Sequence, residues 1–515
     1  VGIVDRLRQG KHLRTLRSGS AAGAADLDEA RDALVELGPR AISPLLELLA
    51  IDGAKEQAQE VLRRVLTPDT LPDFVEALSS PDRKVRAGIR EVLETGTRYD
   101  PKDLLPYLSE RSVPKAPLEA ILRARAEDLK AADLLPTLAD LDRDARAIAF
   151  RLVEETADDG IASQAISLLS HGDWWIRMHM AKLLARLPGE DTEEALSGVL
   201  GDRAKAVRLE AVKSLHTLES RLAIPHLTNV LRDGDLTVQA AAIDALIAIG
   251  DPGAVTHLVE VLKDESEQSR RGAVEVLNEV ATTDAIHDLI KALRDADWWV
   301  RVRAADALGT LGGDKVVDAV LTLLSDPDVH IRRYAVEILN TVPDTRSVDS
   351  LIIALDDEDW WVRERSIDAL ARTGNPKSIG PLCTLMRRDV EAAPLCARAL
   401  GEIGDETAVK SLIEVLQTSE SDEVRKEIVE ALGKISKRGL PDEIKPTVEE
   451  ALRQEGIRVE KTRLQPMEVR KHAGAAALPF ESVESNPLQR EEHQPAPHRN
   501  TPHTIRAEEI EEGTM

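Results

Sequence analysis

Aromatic side chains are nearly missing from this chain: three Phe, three Tyr and six Trp amount to 2% of 515 residues. Rings of that scarcity cannot fill the centre of a large globule. Ala, Leu, Val and Ile dominate instead, and they suit thin helical layers packed about 8–10 Å apart. Cysteine is almost as rare. Cys383 and Cys396 are the only two, which excludes a disulfide framework and fits a reducing compartment. No apolar run approaches the roughly 18 residues a membrane span requires, and the N-terminus lacks the apolar centre of a signal peptide. A soluble, cytoplasmic protein is therefore expected. The chain opens on Val1 and closes after the acidic run Glu508 to Glu512; processing, an alternative start or a cut from a longer parent would each explain those ends.

Positive charge is also in short supply. The net charge is −25, with an isoelectric point near 5.0. A sheath of that sign repels phosphate backbones, so nucleic-acid binding is disfavoured despite local clusters at Arg270-Arg271 and Arg332-Arg333. Glycine-rich phosphate loops and Gly-x-Ser-x-Gly elbows do not occur.

What the chain does have is a period. An anchor slot, usually arginine, recurs every 31 residues at Lys115, Arg146, Arg177, Arg208, Gln239, Arg270, Arg301, Arg332 and Arg363. Seven residues past each anchor stands an apolar side chain, from Leu122 and Val153 through Leu308 and Leu339 to Leu370. Repeats of this length mean stacked supersecondary units, each touching only its neighbours. Around Arg301, Leu289 and Leu293 precede the anchor, while Ala304 and Leu308 follow it. Both pairs have the i, i+4 spacing of a helix with one buried face. Asp297 lies four residues before the anchor, placed to cap the second helix, and the slot recurs at Asp82, Asp142, Asp173, Asp235, Asp328 and Asp359. Gly312 is read as a helix terminator, as are Gly38, Gly250, Gly374 and Gly404. Each unit is thus a helical hairpin.

Slots at Leu27, Lys55 and Arg86 precede the strict stretch, and Ala393 and Arg425 follow it. The expectation is an all-α, right-handed α-solenoid of about 14 hairpins, with three segments. Residues 1–25 form a basic N-terminal cap rich in arginine and lysine. Residues 26–455 form the array, closed by a helix near Asp442 to Gln454. Residues 456–515, with six prolines and little periodicity, are expected to be a disordered tail. Surface attachment to anionic lipid is a second reading of the basic cap. In the tail, His493, His498 and His503 fall five apart, a weak metal signal.

Segments such as Asp297-Trp-Trp-Val-Arg-Val-Arg-Ala-Ala-Asp-Ala-Leu-Gly309 and Asp359-Trp-Trp-Val-Arg-Glu-Arg-Ser-Ile-Asp-Ala-Leu370 resemble the short HEAT repeats named after phycobilisome lyases. The resemblance covers roughly four-fifths of the chain and implies a fold more firmly than a function. It implies a ladder between capping aspartates and anchor arginines of neighbouring repeats, carried by Asp173, Arg177, Asp297, Arg301, Asp328, Arg332, Asp359 and Arg363. Gaps are expected at Leu27, Lys115, Gln239 and Ala393. Some HEAT-like proteins are oxygenases that hold iron with His-Glu dipeptides, and no histidine here is followed by glutamate. His226 and His257 occupy equivalent slots but lack a third ligand. The expected function is a non-catalytic scaffold with no cofactor or metal, binding a protein or peptide along the concave face of the solenoid. The alternatives are a bilin-lyase-like or oxygenase-like enzyme, or the regulatory array of a longer signalling enzyme such as a protein kinase. Cys396 falls in the slot of Ala211, Ala242 and Ala304 and is read, with Cys383, as part of the core.

All six tryptophans form tandem pairs: Trp174-Trp175, Trp298-Trp299 and Trp360-Trp361, each just before an anchor. Between the first two pairs on the same parity stands Leu236-Thr237. Adjacent helical positions point about 100° apart, so one indole of each pair is expected at the surface. In solenoids of the resembling family this slot lies at the rim of the inner face. Two readings stand side by side: a packing device covering the next hairpin, or a ridge that grips a basic or proline-rich segment.

Overall fold

The computed structural model describes residues 3–18 and 23–464. Every regular element among them is helical, and the protein is an α-solenoid. The chain divides into two compact units, Val1–Val230 with Asp235–Ile249, and Leu231–Gly234 with Gly250–Met515.

In the first unit the helix Ile3–Arg17 packs on Ala24–Glu36 and Ile42–Leu49 and buries Leu16 completely. Two first helices of this unit are tightened into 3-10 geometry at Pro101–Ser109 and Leu135–Ala139. Pro106 and Pro136 each lack the amide that a continuing α-helical turn needs, while Pro101 merely opens its helix. The later hairpins are regular. Second helices Trp174–Leu184, Lys205–Thr217 and Leu236–Ile249 pack side by side.

The second unit repeats the plan. Second helices Glu267–Val280, Trp298–Leu311, Val329–Thr341, Trp360–Thr373, Ala393–Ile403 and Asp422–Arg438 form one continuous layer. First helices such as Ile286–Ala292, Val348–Ala354 and Ile379–Arg388 pack against it. The core is the seam between the layers. Leu122, Val153, Leu184, Leu215, Leu246, Leu277, Leu308, Leu339 and Leu370 are each at most 1% exposed, worth about 2–3 kcal/mol of burial apiece. Periodicity in the sequence is therefore periodicity in the core.

Helix ends follow their chemistry with one correction. Asp82, Asp142, Asp173, Asp297, Asp328 and Asp359 all accept hydrogen bonds from the free amides that open their second helices. Gly38, Gly250, Gly312 and Gly374 adopt left-handed backbone, with φ between 56° and 64°. Gly404 does not; its φ is −68°. It is required for space, since a Cβ there would lie 2.4 Å from the Leu400 carbonyl oxygen and 3.2 Å from Ile435 Cδ1. The closing helix spans Lys445–Leu464, later than the expected Asp442 to Gln454 and past the residue 456 at which the tail was placed. The remaining tail, including His493, His498 and His503, lies outside the described residues.

Candidate functional site

The anchor arginine fastens two turns at once. Arg332 Nη1 donates to the carbonyl oxygens of Asp326 and Pro327, at 2.9 and 3.4 Å, in the turn of its own hairpin. Its Nε and Nη2 donate to both oxygens of Asp357 in the next turn, at 2.8 and 3.0 Å. Arg270 repeats this with the Asp264 carbonyl and Asp295, and Arg177 with the His171 carbonyl and Asp202. Only a guanidinium offers donors in such a fork, so the slot selects arginine.

This geometry differs in detail from the expected ladder. Arg146 does reach the next capping aspartate, Asp173, at 2.6 Å. Arg270 and Arg332 instead grip the aspartate two residues before the cap. The caps Asp297 and Asp359 are taken by the adjacent arginines, Arg271 and Arg333. Arg177 follows the same geometry, gripping Asp202 two residues before Ala204, which stands in its neighbour's capping slot. Arg301 holds the Asp295 and Ala296 carbonyls and approaches Tyr334 Oη at 3.4 Å, and Arg363 lies 3.5 Å from Asp389. Lys115, expected as a gap, is a rung: its ammonium reaches Asp142 at 3.2 Å. At Asp297 and Asp359 burial pushes the carboxyl pKa up, but the guanidinium and the amide of the capped turn outweigh it and hold both below the ordinary aspartate range. Asp202 is lowered first by its hydrogen bond from Arg177.

The indoles of one tandem pair differ sharply in exposure. Trp361 is buried at 8% exposure, whereas Trp360 is 49% exposed. The rings meet edge to face at 5.4 Å, as Trp298 and Trp299 do at 5.5 Å. Each inner indole is covered by a guanidinium: Arg303 over Trp299 at 5.7 Å and Arg365 over Trp361 at 5.3 Å. Those arginines are clamped by Glu275 and Glu337 of the preceding second helix. In the first unit, His179 takes the arginine's place, stacking on Trp175 at 3.6 Å with Phe150 at its edge. Burial lowers the His179 pKa. Trp174, like Trp360, is 49% exposed.

The outward indoles belong to a longer feature. The residue just after each capping aspartate in the second unit is, in consecutive layers, Trp298, Val329, Trp360 and Val390. Trp298 and Val329 are half-buried, and Val390 is 76% exposed. Asp389 accepts from the amides of Glu391 and Ala392, so Val390 occupies the same slot even though its helix begins later. Glu267 and Asp422 hold the slot at the two ends of the run. An apolar ridge thus crosses four layers, about 30 Å at 10 Å per layer, with acidic residues at either end. In the first unit the slot holds exposed Trp174 and, 62 residues on, Leu236 at 63% exposure. The sequence reading found the tryptophans, placed Leu236 in the same slot without assigning it a role, and missed Val329 and Val390. The position three before each anchor would have found them.

A shallow groove of about 430 Å³ between Glu267–Val280, Trp298–Leu311 and Val329–Thr341 is lined by Asn278, Arg303, Asp306, Tyr334 and Glu337. Its Arg303 is held by Glu275 and Asp306. Among the described residues no cluster of three His, Cys, Asp or Glu side chains is placed to hold a metal ion, and no helix is long and apolar enough to cross a membrane. Cys383 and Cys396 are free and buried, and burial raises both thiol pKa values.

HEAT repeats match residues 192–278, 255–336, 317–394 and 394–461, together more than half of the chain. No curated protein matches the sequence. Among solved structures, an engineered protein is 21% identical, with 77% of this chain and 98% of that one covered and a TM-score of 0.30. The karyopherin Kap121p bound to Nup53p is 14% identical over 83% of this chain and 53% of its own, at a TM-score of 0.43. This chain therefore spans about half the length of that karyopherin. The CpcE–CpcF complex of phycocyanin lyase from Nostoc sp. PCC7120 is 20% identical over 47% of this chain and 93% of that chain, at 0.24.

Proposed function

The chain belongs to the HEAT repeat proteins, and from that premise we propose that it is a non-catalytic scaffold that grips a protein or peptide along the ridge of second-helix N-termini. The observation that carries this reading is the run Trp298, Val329, Trp360 and Val390, apolar in four consecutive layers and open to solvent at Trp360 and Val390. The exposure of Trp360 supports it, since its partner Trp361 is the indole buried in that layer. Contiguous exposed apolar surface rimmed by charge is the mark of an interaction site. The partner is an extended segment carrying apolar side chains with basic residues beside them, to match Glu358 (86% exposed) and the net charge of −25. The proposal includes a cytoplasmic location, supported by the two buried, unpaired thiols. It also includes kinship with the phycobilisome-lyase-like class of repeats, supported by the 31-residue period.

Selection from a displayed peptide library on the full chain tests it. Enriched peptides should combine apolar and basic residues and lose binding at least tenfold to the Trp298→Ala/Trp360→Ala protein. No enrichment, or equal binding to that variant, counts against the proposal.

A further inference from the structure

Resting on that reading of the ridge, we infer that its resident occupant is a segment of this same chain, residues 469–480, which docks along it in cis. The closing helix Lys445–Leu464 runs back along Asp422–Arg438. Arg425 binds Glu455, and Arg458 Nη2 lies 3.6 Å from Asp422 Oδ1. Asp422 occupies the ridge slot one layer beyond Val390. The closing helix therefore passes the end of the ridge at Arg458 and the described chain leaves off six residues, about 9 Å, further on at Leu464, with residues 465–515 still to follow.

Those residues carry a matching sequence. Val469-Arg-Lys-His-Ala-Gly-Ala-Ala-Ala-Leu-Pro-Phe480 contains no acid, places Arg470 and Lys471 first, and ends on Leu478, Pro479 and Phe480. Six residues from Gln465 to Arg470 extend about 20 Å, and the Trp360 slot lies two layers from Asp422, again about 20 Å. Arg470 and Lys471 then fall beside Glu358 and Glu391. The ten residues onward to Phe480 cover the further 20 Å or so to Trp298 with length to spare. Basic residues meet the acidic stretch, and apolar ones meet the indoles. An external ligand would have to displace this segment, whose tether gives it a high local concentration.

The test uses the full chain. Amide exchange across residues 469–480 should be at least tenfold slower than in a free peptide of residues 467–483. It should return to the free rate in Trp298→Ala/Trp360→Ala, with the array's melting temperature followed alongside. Leu478→Ala/Phe480→Ala leaves the array untouched and should raise acrylamide quenching of the tryptophans about twofold. Free-peptide exchange in the native chain, or unchanged quenching, overturns the assignment. Protection that falls away on dilution overturns it too, because the segment then serves a second copy. The 467–483 peptide should bind the Leu478→Ala/Phe480→Ala chain. If it fails while a library-selected peptide binds, the tail assignment falls and the ridge reading stands; if neither binds, both fall.

Discussion

Arg332 and Asp357 are joined by two hydrogen bonds, at 2.8 and 3.0 Å, with both side chains about nine-tenths buried. The same guanidinium holds the turn of its own hairpin. Arg332→Ala should therefore loosen two turns and strand the Asp357 carboxylate, a loss of about 3 kcal/mol. Arg332→Lys keeps the charge without the fork and should recover only part of it. Calorimetric melting of the three proteins checks the order. Equal stability of the alanine variant and wild type would contradict the rung's role.

Acid should open the ladder. Asp202, Asp297 and Asp359 titrate below the 3.8 of an ordinary aspartate. A folded pKa lowered in this way contributes stability that is fully present above the unfolded value and is lost as pH falls through the folded one. Helicity followed by circular dichroism should hold from pH 7 to about 4 and decline below that. Asp297→Asn should flatten the decline. A fall centred near pH 6 would point to histidine instead.

The two indoles of a pair should separate stability from binding. Trp361→Ala empties a buried position under Arg365 and should cost about 3 kcal/mol. Trp361→Phe should cost far less, since the Trp361 Nε1 has no partner among the described residues. Trp360→Ala removes a half-exposed ring and should change the melting temperature little. Paired melts of these variants read the difference, and a Trp360→Ala loss as large as that of Trp361→Ala would make the ridge a packing element.

Much of this was legible from periodicity because the core is itself periodic. Leu308 and Leu339 are buried for the same reason they recur, and Asp297 caps where a free amide demands it. The pairing of the arginines was not legible. Whether Arg270 meets Asp295 or Asp297 depends on the turn's path and on Arg271 competing for the second carboxylate, which spacing alone does not encode. The ridge was half legible: tryptophan draws the eye to Trp298 and Trp360, whereas Val329 and Val390 look like any core valine until their exposure is seen.

Glycine supplies a sharper contrast than its sequence role suggested. Gly404→Ala forces a Cβ against the Leu400 carbonyl and should cost more than about 2 kcal/mol. Gly38→Ala meets open space and suffers only its φ of 56°, about 1 kcal/mol. Denaturant melts should rank them so; the reverse order would show that handedness at Gly38 costs more than the lack of room at Gly404.

The most direct test is the affinity of one library-selected peptide for wild type, Trp360→Ala and Arg332→Lys, measured by titration calorimetry on proteins shown to be folded. A ridge that binds through its outward indole predicts at least tenfold weaker binding for Trp360→Ala and near wild-type binding for Arg332→Lys. Undiminished binding by Trp360→Ala would contradict it.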